Sequence, residues 1–300
     1  LTLQTTNSFQ SLQDAVSAVC GDDVKILRQS PVSGGDINLA YQLTLSDGRK
    51  LFLKENAADK LDFFVTETEG LAAIRGTNAI TVPEIYGYGT DKDHSFLLME
   101  FMEPGSRQKD FFEDFGRRLA VMHRADCREY TGEGSFGFNS DNYIGAGHQE
   151  NTPEKSWIAF FRDHRLLPQI RRAKPNFDEE ALKVFDRLLD RLDQYLTEPE
   201  KPALLHGDLW SGNYVVGKDG LAALIDPAVY VGHPEADIAM TELFGGFPRA
   251  FYDGYYEVMG RTPGYEERRD LYNLYHLLNH LNLFGSSYYG AVMRIAERYS

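Results

Sequence analysis

Hydrophobic and polar or small positions alternate strictly over residues 37–45, with Ile37, Leu39, Tyr41, Leu43 and Leu45 on one side. A period of two over that length predicts a half-buried β-strand. Ser46-Asp47-Gly48 has the chemistry of a tight turn, and residues 49–54 (RKLFLK) predict an antiparallel return strand, so the pair reads as a hairpin. Residues 59–75 read as a helix, and 95–102 (SFLLMEFM) form an apolar run of strand length. Glu103-Pro104-Gly105-Ser106 then reads as a connection. Beyond it the pattern turns helical, as with Leu182, Phe185, Leu189, Leu192 and Leu196 at spacings of three and four. The pattern predicts an α+β chain of two lobes. Residues 1–102 would form a small antiparallel sheet with one main helix, and 103–300 a larger, mostly helical lobe. The longest irregular stretch runs from Tyr130 to Thr152, and no internal repeat appears.

Composition narrows this picture mainly by exclusion. Hydrophobic residues make up 42% and charged residues 25% of the 300 residues, as in ordinary globular chains. With 31 Lys and Arg against 45 Asp and Glu, the net charge of -14 opposes binding to nucleic acid or an anionic membrane. Cys20 and Cys127 form neither a disulfide framework nor a CxxC site, which predicts a reducing, cytoplasmic setting. No apolar run has the length of a membrane span.

Candidate chemistry centres on residues 204–213, LLHGDLWSGN. His206, Asp208 and Asn213 have the H-x-D-x-x-x-x-N spacing of a phosphotransferase catalytic loop, in which Asp meets the acceptor hydroxyl and Asn holds a metal. Downstream, Tyr214-Val215-Val216, a Gly/Lys/Asp turn and LAALID (221–226) predict a hairpin that ends at Asp226, the place of a second metal-binding carboxylate. Such chemistry also requires a phosphate-covering loop, a strand lysine and a helix carboxylate. Gly34-Gly35 precedes the alternating strand, and Lys54 ends its partner. At about 100° per residue, Phe63, Phe64, Leu71 and Ile74 fall within about 60° of Glu67, whereas Glu69 points to the far side. Glu67 thus lies inside an apolar stripe, where a carboxylate is costly unless paired, and Lys54 is its expected partner.

Other patterns carry less. Residues 132–137 match G-x-G-x-x-G but follow a helix instead of a strand, so they read as a loop. His123, His276 and His280 lie at helical spacing among apolar residues and read as core or surface histidines.

With these residues in place, the chain resembles the fructosamine kinase (ketosamine 3-kinase) family, within the aminoglycoside-phosphotransferase and protein-kinase-like superfamily. The resemblance spans nearly the whole chain. It is carried by GGDINLAY, the Glu67 helix, FGFNSDNYIG, HQEN, SWIAFFRDHRL, HGDLWSGN, IDPAVYVGHPEADIAM and FGGFP. It implies a two-lobed kinase-like fold and ATP-dependent phosphorylation of the sugar 3-hydroxyl of a free or protein-bound ketosamine, leading to deglycation. Asp208 would be the catalytic base, Asn213 and Asp226 the Mg²⁺ ligands, Lys54 the phosphate-binding cation oriented by Glu67, and Glu100 and Met102 adenine contacts. Asp237 would brace the catalytic loop, with His206 also in structural support.

Trp210, between base and metal ligand, suits a sugar ring or a cationic amine; its alternative is a core anchor. Gln149, Asn151 and Trp157 belong to the resemblance without assigned roles. Many eukaryotic relatives place a cysteine where this chain has Asp36, so no redox-sensitive phosphate loop is expected. Two competing readings are a kinase of an aminoglycoside or choline-like alcohol and an inactive kinase-like scaffold. No obligate protein partner is implied.

Overall fold

A computed structural model of the chain describes residues 7–32 and 37–300. The expected phosphate-loop residues Gly34 and Gly35, with Asp36, lie outside the described residues. The N-terminal region is built on a six-stranded sheet of β1 (Asn7–Ser8), β2 (Ile26–Pro31), β3 (Leu39–Leu45), β4 (Lys50–Ala57), β5 (Ile85–Thr90) and β6 (His94–Glu100). Their spatial order is β1-β5-β6-β4-β3-β2, antiparallel except for β1 beside β5. The alternating strand begins two residues later than its pattern suggests. There Asn56 holds Asn38 through a 2.7 Å side-chain bond.

Each face of the sheet takes one helix. α1 (Leu12–Cys20) starts at Ser11, whose hydroxyl accepts from the Asp14 amide, and places Ala15 and Val16 against Leu43, Leu45, Leu51 and Leu53. It covers only half of the alternating face, so Leu43 is fully buried and Leu39 is 61% exposed. On the other face, α2 (Leu61–Gly76) buries Phe64, Leu71 and Ile74 in the same core as Leu97 and Met99.

The remainder is mostly helical. It contains α3 (Phe111–Arg124), α4 (Arg128–Thr131), the short hairpin of β7 (Asn142–Ile144) and β8 (Gly147–Gln149), and α5 (Trp157–Phe160). A π-helical segment, Phe161–Leu166, joins α5 to α6 (Leu167–Ala173), and α7 (Glu179–Asp190) follows. The site region has β9 (Ala203–Leu205), β10 (Tyr214–Val216), β11 (Ala222–Leu224) and β12 (Tyr230–Gly232), and α8 (Glu235–Leu243), α9 (Arg249–Met259), α10 (Tyr265–Phe284) and α11 (Tyr289–Tyr299) complete the chain. The hairpin predicted to end at Asp226 is the antiparallel pair β10–β11. Bonds that tie it to the N-terminal half include Leu224 N to Thr81 O at 2.9 Å and Gly105 N to Val216 O at 3.0 Å. The stretch expected to be irregular, Tyr130 to Thr152, contains the β7–β8 hairpin. Among the described residues, no helix is long and apolar enough to cross a membrane.

Candidate active site

The carboxylate placed by its helical phase inside an apolar stripe finds the expected partner. Lys54 Nζ on β4 donates to Glu67 Oε1 on α2 at 2.6 Å, with both side chains nearly buried, and also contacts Asp226 Oδ1. Burial pulls the Lys54 ammonium down, but Asp226 and Glu67 more than reverse this, so it stays protonated above the ordinary lysine range. Asp226 has φ +53°, an uncommon left-handed conformation for a residue with a side chain. Its carboxylate is presented in that conformation at the end of β11.

The loop after β9 is fixed largely by backbone groups. His206 N and Gly207 N donate to the two oxygens of Asp237 at 2.7 and 2.9 Å. Gly207 is required twice over, because its φ is +82° and a Cβ would lie 2.0 Å from the Ala228 carbonyl oxygen. His206 Nε2 lies 2.9 Å from the Ile225 carbonyl, and its Nδ1 accepts from the Asp208 amide at 3.3 Å. Burial lowers the His206 pKa, and a neutral imidazole with the proton on Nε2 serves both contacts. The imidazole thus ties the backbone at Asp208 to the residue before Asp226.

Asp208 is half-buried at the loop tip and accepts from Asn213 Nδ2 at 3.0 Å. Burial pushes its carboxyl up to about 7; the Asn213 bond opposes the rise, while Asp226 and Asp237 add to it. Asn213 Nδ2 also donates to the Asp208 carbonyl at 2.8 Å, leaving its amide oxygen without a protein partner among the described residues. That oxygen and the Asp226 carboxylate form a hard donor pair on adjoining segments, joined by Ile225 N to Asn213 O at 3.1 Å. The pair fits Mg²⁺. Among the described residues no group of three His, Cys, Asp or Glu side chains could hold a metal, so an ion here would need phosphate and water oxygens as well.

Trp210 is 39% exposed, and Trp157, fully buried, is the tryptophan that anchors the core. The indole of Trp210 lies over Gly212, where a Cβ would be 2.3 Å from its ring atoms. Glu100 ends β6, and its amide already donates to the Glu84 carbonyl at 2.7 Å. Met102 follows just beyond the strand.

The fructosamine kinase family model matches residues 8–299. A protein named as a ketoamine kinase in Synechocystis is 42% identical over 285 residues, covering 93% of this chain and 92% of its own. A rice protein named protein-ribulosamine 3-kinase, chloroplastic, is 40% identical over 284 residues, covering 93% of this chain and 80% of its own. The chain belongs to the fructosamine kinase family. A crystal structure from Thermobifida fusca that carries the fructosamine-3-kinase name superposes with a TM-score of 0.82 at 33% identity, covering 96% of this chain and 98% of that one. A macrolide 2'-phosphotransferase shares the fold at a TM-score of 0.62 and 16% identity, covering 96% and 95% of the two chains.

Within this fructosamine kinase fold, Lys54 touches Glu67 and Asp226, Asp208 touches His206 and Asn213, and Ile225, the residue before Asp226, bonds to both His206 and Asn213, while Asp237 holds the amides of His206 and Gly207. Several residues that support the site were not singled out for that role by the sequence. His123 on α3 reads as a core histidine and is buried, but its Nε2 lies 3.2 Å from Asp237 Oδ2 and its Nδ1 2.8 Å from the Tyr255 hydroxyl. Asn142 donates to the Val229 carbonyl at 2.7 Å. Gln149 donates to Asn142 and Ala228 and accepts from the Tyr275 hydroxyl at 2.6 Å. Arg165, fully buried, donates to Asn151 Oδ1 at 2.7 Å and stacks on Tyr230. The test that exposed Glu67 also applies to His123, a polar group inside an apolar stripe that requires a partner.

Proposed function

We propose that this fructosamine kinase transfers the γ-phosphoryl group of ATP to the 3-hydroxyl of a ketosamine. Asp208 meets the acceptor hydroxyl and takes its proton as the new O–P bond forms and the bond to the ADP oxygen breaks. Lys54, held by Glu67, faces the α/β-phosphates. Glu100, through its carbonyl, and Met102, through its backbone, face adenine. Mg²⁺ held by Asn213 Oδ1 and Asp226 would neutralise phosphate charge. Gly34 and Gly35 would belong to the loop that covers the phosphates, and Trp210 would offer its exposed face to the sugar or its amine. In this reading, residues 1–102 form the nucleotide lobe and 103–300 the catalytic and acceptor lobe. Phosphorylation at that carbon labilises the adduct, and elimination frees the amine, which makes the product chemistry a deglycation.

The observation that supports this reading most directly is the contact chain from Glu67 through Lys54 to Asp226, beside an Asp208–Asn213 pair. A scaffold without activity has no need to gather those charges at one place. A cytoplasmic setting is proposed from the cysteine usage alone; the rice relative carries a chloroplast designation.

The deciding experiment measures ADP release with fructosamines, ribulosamines and psicosamines, with an aminoglycoside and choline as controls. Release with a ketosamine is the expected result. Release only with the aminoglycoside or choline would transfer the assignment to another alcohol acceptor, and release with none would overturn it.

A further inference from the structure

α2 carries Glu67, and a 3₁₀ turn, Ala58–Lys60, leads into its start without a side-chain cap. Lys60 occupies the N-cap position and lies over the Phe63 ring but caps no amide, so tertiary contacts add to what holds the first turn. Those contacts come from the β7–β8 hairpin, more than sixty residues away in sequence. The Tyr143 hydroxyl donates to Asp62 Oδ2 at 2.7 Å, and its ring stacks on Phe63 with centroids 4.0 Å apart and planes 17° from parallel. Just before the hairpin, Ser140 Oγ donates to Glu69 Oε2 at 2.7 Å.

Phe63 and Glu67 are four residues apart, so they share a face of α2 about 6 Å apart along its axis. One turn beyond Glu67, the helix rests on the segment that follows Asp226. A Cβ on Gly70 would lie 3.1 Å from Val229 and 3.4 Å from Pro227. Asn142, the neighbour of Tyr143, bonds to the carbonyl of that same Val229. Hairpin and post-Asp226 segment therefore form one cradle, supporting α2 on either side of Glu67. Burial and the bond to Asp62 push the Tyr143 hydroxyl up to about 12, so it remains a donor at neutral pH.

We propose that Tyr143 is a positioning residue for the phosphoryl-transfer site: from the hairpin it sets the first turn of α2, and through α2 it holds Glu67 on Lys54. This rests on the kinase reading above, which alone gives the Lys54–Glu67 pair its nucleotide role.

The test reads nucleotide affinity directly, by calorimetry of Mg·ADP with the full chain and no acceptor present. Tyr143→Ala is expected to weaken binding about tenfold, a coupling within the range known for contacting residues. Tyr143→Phe, which keeps the stack and loses the hydroxyl bond, should weaken it roughly two- to threefold. If Tyr143 acts through Glu67, the double variant Tyr143→Ala with Glu67→Gln binds no more weakly than Glu67→Gln alone. A contact that merely stabilises the fold would lower the melting temperature while the two losses multiply, and that result overturns the proposal. Unchanged affinity in Tyr143→Ala overturns it as well. Tyr143→Phe and Asp62→Asn leave the ring stack in place, so they keep the test open if the alanine variant fails to fold. Wild-type protein that binds no nucleotide would instead overturn the kinase reading.

Discussion

The tip and the foot of the loop after β9 each hold an aspartate close to His206, and the two carboxyls are driven in opposite directions. At the foot, burial alone would raise Asp237, but the His123 contact and the donated backbone amides keep it below the usual carboxylate range. At the tip, burial raises the Asp208 carboxyl to about 7, with Asp226 and Asp237 adding to the rise and Asn213 as the one side-chain donor opposing it. The number of donors separates the two roles. A carboxylate fully supplied with donors is a fixed structural anion, whereas an undersupplied one near neutrality can accept a proton.

The largest effect expected from breaking this contrast is at the tip. Asp208→Asn should reduce kcat by about 10²–10⁴, the usual contribution of a general base, with nucleotide affinity nearly intact. Because the folded-state pKa is raised above its unfolded value, the cost of this carboxyl to the fold builds as the pH rises from about 4 to about 7 and is complete above that. Asp208→Asn should therefore melt no lower than wild type at pH 8. For wild type, kcat/KM should fall as the pH drops below about 7, where the base becomes protonated. A variant that keeps its turnover within a few fold would remove Asp208 from the chemistry.

At the foot the expected loss is in stability. Asp237→Ala leaves the amides of His206 and Gly207 and the His123 ring without their acceptor, each buried group costing about 1–3 kcal/mol. A melting temperature lower by roughly 5–15 °C follows for a chain of this size. With the folded-state pKa depressed, the contribution of Asp237 is present above its unfolded value and fades as the pH falls through the folded one. The variant's deficit should accordingly shrink in acid. Equal deficits at pH 7 and pH 3 in thermal melts would contradict the brace.

A smaller effect is expected at the Lys54–Glu67 pair, which is held by two elements of the sheet region and not by the loop. Glu67→Gln keeps the shape but removes one of the two charges on Lys54, and Asp226 retains the other. KM for ATP should rise about tenfold, with kcat less affected, as steady-state kinetics would show. A change confined to the acceptor KM would detach this pair from the nucleotide.

The contrast also marks what the sequence made legible. The β3–β4 hairpin and the Lys54–Glu67 pair were readable because periodicity and turn chemistry act locally, and because the partners are 13 residues apart on consecutive elements. The H-x-D-x-x-x-x-N spacing likewise located the tip of the loop after β9. Its foot was only half readable: Asp237 was found by resemblance, but His123 lies 114 residues from it and contributes no periodic signal beyond being polar in an apolar stripe. Tyr143, 81 residues from Asp62, has no local signature at all. The helical spacing that runs from Leu182 to Leu196 outlasts α7, which ends at Asp190, because a 3₁₀ turn, Leu192–Gln194, continues it.

The finest test lies at the loop tip, between Asp208 and Asn213. Trp210 lies over Gly212, and a methyl group there would meet the indole at 2.3 Å. Something must move, and the indole is the far end of an exposed side chain, whereas the backbone is tied by Asn213 N to Trp210 O at 3.0 Å and Trp210 N to Asp208 O at 3.2 Å. Gly212→Ala should therefore displace the indole and leave the loop and the fold in place, with the melting temperature nearly unchanged. If Trp210 faces the acceptor, KM for the ketosamine should rise a few fold, roughly the 0.5–1.5 kcal/mol of a lost aromatic contact, while KM for ATP stays put. Trp210→Ala should reproduce that change, and combining the two substitutions should add nothing further. An unaltered ketosamine KM in both variants would take Trp210 out of the acceptor site.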